Sequence, residues 1–207
     1  MALKSLNRTD IEQMNRIDRL NLVNSCTGYK SANLLASISK MGKTNVAVFS
    51  SVTHLGSDPA MIGFILRPTT VPRHTYQNIK ETNFFTINHI SKDQFEDAHH
   101  TSAAYPFDVS EFDKTDLEAV YYEDCSVPFV KGSPIQLLCK YVNEYLIAEN
   151  GCIHIIASIE AIYYEEAILS EDKWLQLDKG NVVAINGLDG YALPQLLKRL
   201  PYARPKN

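Results

Sequence analysis

Two stretches of alternating apolar and polar positions, separated by a turn signal, form the clearest pattern along the chain. The apolar positions are Ile135, Leu137, Cys139 and Tyr141 in the first stretch and Ile153, Ile155, Ala157 and Ile159 in the second. Between the stretches stands Asn150-Gly151, a dipeptide that tolerates the positive φ angles of a type I′ turn. Because a period of two is typical of a strand with one buried face, the pattern predicts a β-hairpin.

Shorter apolar runs predict further strands. Residues 32–39 and 44–52 flank a turn at 40–43 and predict a second hairpin, and the runs at 61–66 and 84–90 predict two more strands. The chain thus carries at least six strands, mostly joined by short turns, and it lacks the regular strand–helix alternation of parallel βαβ winding. This arrangement predicts a mainly β fold, an antiparallel barrel.

Helices are predicted only at the periphery. In an N-terminal helix at about 9–20, Thr9 caps the first turn and Glu12 reaches back to its N–H group, while Ile11, Met14, Ile17 and Leu20 form one apolar face. Short helices are predicted near 75–82 and 92–101, and a C-terminal helix in "LPQLLKRLPYARP". We interpret residues 1–207 as a single domain with a barrel core at about 30–165 and a C-terminal tail at 166–207.

Charge and cysteine content exclude several classes of protein. The formal net charge of -4 over 207 residues argues against a broad nucleic-acid-binding face, which usually needs a strongly basic domain. The four cysteines are widely spaced and form no metal-ligand pattern, so free thiols in a reducing compartment are expected. We find no N-terminal apolar region followed by a cleavage site, and no apolar run approaches about 18 residues. We therefore expect a cytoplasmic protein that contacts neither membrane nor nucleic acid.

The sequence carries none of the common catalytic or phosphate-binding motifs. G-x-G-x-x-G after a strand, G-x-x-x-x-G-K-[ST], H-E-x-x-H and G-x-S-x-G are all missing. His99 and His100 are adjacent, so they point in different directions on a helix or strand. We therefore predict no catalytic side chain and no metal site.

Hydroxyl and basic side chains cluster in one region of this acidic chain. Ser50, Ser51 and Thr53 follow a predicted strand, where they either bind a flat polar heterocycle or satisfy the strand-to-turn transition. Arg67 and Arg73 stand six residues apart in a loop that contains two prolines.

This loop also contains Thr69 and Thr70, and Thr75 lies just before or within the predicted helix that follows. Unpaired N–H groups at a helix N-terminus attract anions, and arginine can bind phosphate through two parallel hydrogen bonds. The loop is either a phosphate site or a solvated basic loop, and His74 is either a ligand donor or a surface residue.

Several stretches, in order, resemble the flavin reductase-like family with the FMN-binding split barrel. They are "TGYKSANL", "NVAVFSSVTHLGSDPAMIGFILRPTTVPRHTYQNIKETNFFTINHI", "AHHTSA…FDVSEF", "NGCIHIIASIEAIY" and the terminal "YARP". The resemblance implies a six-stranded antiparallel split barrel with peripheral helices, a homodimer with FMN near the subunit interface, and NADH or NADPH as the reductant. Carried over by position, it implies a set of cofactor-binding residues: Asn45, Ser50, Ser51, Val52 and Thr53 at the flavin ring; Arg67, Thr69, Thr70, Arg73, His74 and Thr75 at the phosphate; and Ser102, with Thr101, near the cofactor.

One departure from the family pattern bears on activity. Relatives commonly read N-G-T-x-x-I-I-G-E-I-E-H-I, but this chain has Ala157, Ser158 and Ala161 in place of the glycine, the glutamate and the histidine. A strand glycine can mark a close approach by a ligand, so Ala157 is expected to narrow such a site.

Three functions remain open on the sequence. The first is a flavin reductase-type oxidoreductase that transfers hydride from NAD(P)H to FMN N5 and passes electrons to an unknown acceptor, such as a partner protein. The second is a flavoredoxin-like FMN electron carrier reduced by a protein partner. The third is a split barrel that has lost flavin, which the two arginines and the hydroxyl cluster argue against.

Overall fold

Most of the regular structure is β in the computed structural model, which describes residues 2–122 and 125–205. The helices in these ranges are α1 (Arg8–Gln13), α2 (Arg16–Ser25), α3 (His74–Thr82) and α4 (Phe95–His100), with 3-10 turns at Glu111–Lys114 and Glu166–Ile168. The strands there are β1 (Lys30–Ser31), β2 (Asn33–Ile38), β3 (Thr44–Phe49), β4 (Thr53–Ser57), β5 (Ala60–Leu66), β6 (Phe84–His89), β7 (Ala119–Val120), β8 (Phe129–Val130), β9 (Ile135–Ile147), β10 (Cys152–Tyr164), β11 (Ala184–Asn186) and β12 (Gly190–Ala192).

The largest sheet of the described residues is antiparallel and has the strand order β3-β2-β6-β9-β10-β5-β4. Its two edge strands, β3 and β4, are joined by residues 50–52 alone. Three residues span at most about 11 Å, so the two edges must lie close together and the sheet curls into a barrel. The predicted antiparallel split barrel is confirmed. The sheet has seven strands rather than six because β4, which is polar and mostly exposed, lacks the apolar alternation that marks a strand.

Two apolar cores lie on the two faces of this sheet. Inside the barrel, Phe64 packs edge to face against Phe49 at 5.3 Å and against Phe85 at 5.6 Å between ring centroids. On the outer face, Val46 and Ile90 belong to a second core that α4 and β11 cover. Residues 33–37 of β2 are buried on both faces, which explains the continuous apolar run in the sequence.

The predicted hairpin around Asn150-Gly151 is confirmed, but its turn is not type I′. Cys152 pairs with Ile147, so four residues form the loop, and Gly151 has a positive φ of 72° whereas Asn150 does not. Asn150 acts instead through its side chain, since its Oδ1 accepts a hydrogen bond from the Cys152 N–H at 2.9 Å. An asparagine that bonds to the backbone two residues on produces the same turn signal by a different mechanism.

The predicted N-terminal helix is two helices, and Thr9 does not cap it. Asn7 caps α1 in a reciprocal capping box with Asp10, at 3.0 and 2.9 Å. Asn15 starts α2 by accepting from two N–H groups, which ends α1 because a capping asparagine favours a new helix start over a helix interior. Neither helix has a buried residue, and Ile17 on the predicted apolar face is 69% exposed.

The predicted C-terminal helix is wrong. Residues 193–205 form no regular secondary structure, and Leu197 is 98% exposed. Pro194 and Pro201 bracket only six residues, which are too few for a stable helix without tertiary packing. The tail is held instead by Arg199.

The other two helix predictions are confirmed in place. The helix predicted near 75–82 is α3, and the one predicted near 92–101 is the shorter α4. The acidic loop that begins near residue 103 extends to residues 123 and 124, which lie outside the described residues. No helix in the described part of the chain is long and apolar enough to cross a membrane.

Candidate functional site

A buried hydrogen bond ties the start of α3 to the edge strand β3. Asn45 Nδ2 donates to Thr75 Oγ1 at 3.0 Å, and both residues are buried. One turn later, Asn78 Nδ2 donates to Ser37 Oγ on β2 at 3.1 Å. These polar side chains fix the helix against the barrel, and the role predicted for Asn45 and Thr75 at the ligand stays a prediction.

The N-terminus of α3 has backbone donors available for an anion. Arg73 occupies the cap position, but its side chain makes no capping hydrogen bond. The first intrahelical bond runs from Gln77 N to Arg73 O, and no described residue accepts from the N–H groups of residues 74–76. These N–H groups lie at the positive end of the helix dipole, so both features favour an anion at this helix end.

Two arginines add positive charge beside this helix end. Arg73 Nε donates to the Pro68 carbonyl at 3.3 Å, which leaves its terminal amino groups without a partner among the described residues. Arg67, which follows β5, is exposed and makes no hydrogen bond or ion pair within the described residues. Thr69 and Thr70 are exposed in the same loop. The loop can therefore offer guanidinium and hydroxyl donors to one anion.

His74, the first residue of α3, is partly covered by the loop that follows α4. Its ring packs edge to face against Phe107, with 5.2 Å between the ring centroids. Burial lowers the pKa of His74 because it penalises the charged imidazolium. At neutral pH the residue is therefore a neutral hydrogen-bonding group beside the helix N-terminus.

Some polar groups in the link between β3 and β4 form hydrogen bonds within the fold, and others do not. Ser51 Oγ bonds both the N–H and the carbonyl of Ile65, at 3.0 and 3.1 Å, and thereby joins the link to β5. Val52 packs into the barrel core, and its carbonyl accepts from Ser31 Oγ at 3.1 Å. Ser50 and Thr53 make no side-chain hydrogen bond to a described residue, so only these two hydroxyls remain available for a ligand.

Backbone groups on the edge of β3 were not predicted from the sequence. Val46 N–H points away from the sheet and is bound by Glu111 Oε2 at 3.0 Å. Val48, two residues on, presents its N–H to the same side, and no described side chain accepts from it. Burial raises the pKa of the Glu111 carboxyl. This contact joins residues 65 positions apart, so no local pattern could have indicated it.

Ser102 has no side-chain hydrogen bond to the other candidate residues among those the structure describes. It is exposed, follows α4, and donates through its backbone to the His99 carbonyl. No hydrogen bond or ring contact links it to the loop at 67–73 in the described part of the chain. The neighbouring Thr101 is buried and bonds the Ala98 carbonyl, which is a structural role at the end of the helix.

The departures from the family pattern fall on different faces of β10. Ala157 is fully buried in the barrel core, opposite Ile62 and Tyr141, so its methyl group is not at the surface of the chain. That it narrows a ligand site stays a prediction. Ser158 bonds Glu160, and Ala161 lines a groove beside Phe84, Tyr122 and Tyr163.

Two surface cavities of about 390 Å³ each lie away from the loop at 67–73. The first is lined mainly by polar residues around Asp93, Asp97 and Asp116, and the second is the groove at Ala161. Among the described residues, no group of three or more histidine, cysteine or carboxylate side chains could hold a metal ion. Neither of these two cavities is lined by a residue of the loop at 67–73.

The fold defines the class of protein as an antiparallel split barrel, and known proteins identify the family. Residues 29–182 match the family model described as "Flavin reductase like domain". The chain belongs to this family.

Solved structures with the same fold include a protein designated a flavin reductase with split barrel domain, from Shewanella frigidimarina NCIMB 400. It is 39% identical, with a TM-score of 0.93 over 97% of this chain and 100% of that one. Nitrilotriacetate monooxygenase component B from Bacillus cereus is 19% identical, with a TM-score of 0.83 over 97% of this chain and 100% of that one. Flavoredoxin of Desulfovibrio vulgaris (Miyazaki F) is 19% identical, with a TM-score of 0.72 over 84% and 92%. The last two similarities show the fold alone.

Proposed function

We propose that the chain binds FMN along β3 and acts as a flavin reductase-type oxidoreductase that uses NADH or NADPH. The observation that carries this proposal is the start of α3, where three N–H groups have no acceptor among the described residues and Arg73 directs free guanidinium donors from the cap position. Arg67 belongs to the same loop. A dianionic phosphate satisfies these donors, and the family to which the chain belongs binds flavin.

The spacing along β3 suits an extended flavin mononucleotide. Asn45, whose side chain is bonded to the start of α3, is five residues before Ser50, and an extended strand rises about 3.3 Å per residue. The strand between these two positions is therefore roughly 17 Å long, which is enough to lie alongside the whole of an extended FMN molecule. At the ring end, Ser50 and Thr53 hydroxyls and the outward N–H of Val48 are the available polar groups.

The chain's own residues bind and orient the reactants rather than react themselves. When bound, FMN supplies N5 as the hydride acceptor, with the nicotinamide as donor. The hydrogen bonds of Ser51 to Ile65 attach the link between β3 and β4 to β5. The hydroxyls of Ser50 and Thr53, on either side of this attachment, are therefore held in place. We assign no side chain as a general acid or base.

A flavoredoxin-like electron carrier is the second candidate. Relatives commonly carry a histidine where this chain has Ala161, which leaves an apolar groove instead of a hydrogen-bonding group. If that histidine serves nicotinamide-driven turnover, this chain would take its electrons from a protein partner instead. In either function we expect a homodimer, with the partner subunit covering the open flavin site.

Anaerobic visible spectroscopy of the purified protein, reconstituted with FMN where needed, tests the proposal. A bound-flavin band that bleaches rapidly with NADH or NADPH is the expected result, and it also identifies the donor. A band that persists with both nucleotides and bleaches with dithionite favours the electron carrier. Failure to bind FMN after reconstitution contradicts both.

A further inference from the structure

The loop at 103–110 is anchored at both of its ends. On the α4 side, His100 Nε2 and Tyr105 Oη are 2.7 Å apart. On the β3 side, Ser110 Oγ lies 2.8 Å from Thr44 Oγ1, and Glu111 binds the edge strand. The loop therefore runs from α4 to the barrel edge, is fixed at both ends, and passes beside the first residue of α3.

Phe107 stands at the middle of this loop, against the residue that begins α3. The turn is closed by a hydrogen bond from Val109 N to the Pro106 carbonyl at 3.0 Å. Phe107 packs edge to face on His74 and is still 42% exposed. An apolar ring thus packs on the side chain of His74, the first of the residues whose N–H groups we assign to the phosphate.

We propose that Phe107 closes the phosphate end of the site and makes the chain select FMN over FAD. FMN ends at its phosphate, whereas FAD continues from that phosphate through a second phosphate to adenosine. If the ring and the first phosphate bind as described above, this continuation must leave past His74, where Phe107 stands. The exposed carboxylate of Asp108, the next residue, also repels a second phosphate.

This inference rests on the proposed flavin site, and one comparison of affinities tests both. Apoprotein of the full chain is titrated with FMN and with FAD, and binding is followed by quenching of flavin fluorescence. The wild-type chain is expected to bind FMN at least about tenfold more tightly than FAD. Phe107→Ala should lower this ratio several-fold, mainly through tighter FAD binding, while Phe107→Leu keeps most of the bulk and most of the preference.

Matched variants separate a local effect from a general one. Tyr121→Ala removes an exposed aromatic ring elsewhere and should leave the ratio unchanged. Retained FMN binding by Phe107→Ala shows that the variant is folded. An unchanged ratio in Phe107→Ala, weaker FAD binding in that variant, or equal wild-type affinities would overturn the selectivity role while leaving the flavin site standing. A wild-type chain that binds neither flavin overturns both.

Discussion

The two arginines at the candidate phosphate site are held to different degrees. Arg73 is positioned by its Nε contact with the Pro68 carbonyl, so its remaining donors are already directed. Arg67 is exposed and has no such contact among the described residues. A positioned guanidinium loses less side-chain entropy when it binds phosphate, so Arg73 should contribute more to affinity than Arg67.

Replacing these arginines should weaken FMN binding. Each charge-assisted hydrogen bond lost costs roughly 1.5–3 kcal/mol, so Arg67→Ala and Arg73→Ala should each raise the Kd about tenfold or more, with the larger effect at Arg73. Titration of apoprotein with FMN measures this. Lys92→Ala, which removes an exposed positive charge outside the loop at 67–73, α1, α2 and the tail, is the control. Unchanged affinity in the double variant Arg67→Ala/Arg73→Ala would show that the phosphate binds elsewhere.

The bond between Asn45 and Thr75 should contribute to stability independently of any ligand. Thr75→Val keeps the shape of the side chain but leaves the buried Asn45 amide without an acceptor, which costs about 1–3 kcal/mol of unfolding free energy. Urea unfolding measures the change. Thr75→Ser keeps the hydroxyl and should retain most of the stability. Equal stability of the valine and wild-type proteins would mean that the hydrogen bond is not formed in solution.

The sequence located the polar cluster but not the role of each member. Ser50 and Ser51 are adjacent and chemically identical, yet only Ser51 faces β5, where its hydroxyl forms hydrogen bonds with the backbone of Ile65. Asn45 and Thr75 are 30 residues apart and bond each other. Which hydroxyl stays available depends on what packs opposite it, and this information is absent from local sequence.

Among the elements, the edge strand β3 is the one that most needs protection. An edge strand exposes unpaired N–H and carbonyl groups that can pair with another chain. The 3-10 turn at Glu111–Lys114 covers the middle of β3, where Glu111 accepts from Val46. This turn does not bind the N–H group of Val48, so the strand edge has a backbone donor available where we place the flavin ring.

Glu111 should make stability depend on pH. Burial raises its pKa in the folded state above the ordinary value of 4.5, outweighing the contacts with Val46 and Lys43 that lower it. A raised folded pKa means that the contribution of Glu111 is fully present below pH 4.5 and is lost as pH rises through the folded pKa.

Glu111→Gln isolates this effect because glutamine keeps the acceptor and does not titrate. The unfolding free energy of the variant minus that of the wild type should therefore increase with pH across this window. Urea unfolding at a series of pH values, starting at the ordinary glutamate pKa of 4.5 and rising from there, measures the difference. A difference that stays constant with pH would contradict the raised pKa.

The C-terminal tail is held at one point, and the single tryptophan reports on it. Arg199 binds both carboxylate oxygens of Asp172, at 3.1 and 2.8 Å, and lies 4.4 Å over the Trp174 ring. Arg199→Ala should shift tryptophan emission to longer wavelength and increase quenching by acrylamide, with little change in the unfolding midpoint. Lys198→Ala, at the neighbouring position, should change neither. An unaltered spectrum in Arg199→Ala would mean that the tail is not held there.

Elements with both a turn signal and a buried face were predicted well, and elements without a buried face were not. The β9–β10 and β2–β3 hairpins have alternating or continuous apolar residues that the barrel buries. The apolar residues of α2 and of the tail are exposed in this chain, so no tertiary packing stabilises the helices that their periodicity predicted. Their pattern therefore gave the wrong boundaries for one and the wrong structure for the other.

At the scale of the whole molecule, two segments with exposed apolar side chains lie outside both cores. The first comprises α1 and α2, which bury no residue, and the second is the tail at 193–205, whose leucines are largely exposed. Exposed apolar surface of this kind is unfavourable for a monomer and is typical of an interface. The open candidate site and these segments are both explained if a second copy of the chain covers them.

The chain is therefore expected to be a dimer in solution, with a mass near twice the 23.3 kDa of one chain by light scattering after gel filtration. Ile17→Asp/Leu20→Asp should shift it toward the monomer, because each apolar side chain that an interface buries contributes roughly 1.5–3 kcal/mol. If the partner subunit completes the flavin site, the same variant should also bind FMN more weakly. Ala119→Asp/Ala148→Asp adds the same two charges at exposed positions outside α1, α2 and the tail, and should change neither property. A wild-type mass of one chain at micromolar concentration would rule out the dimer and leave the exposed helices without a partner.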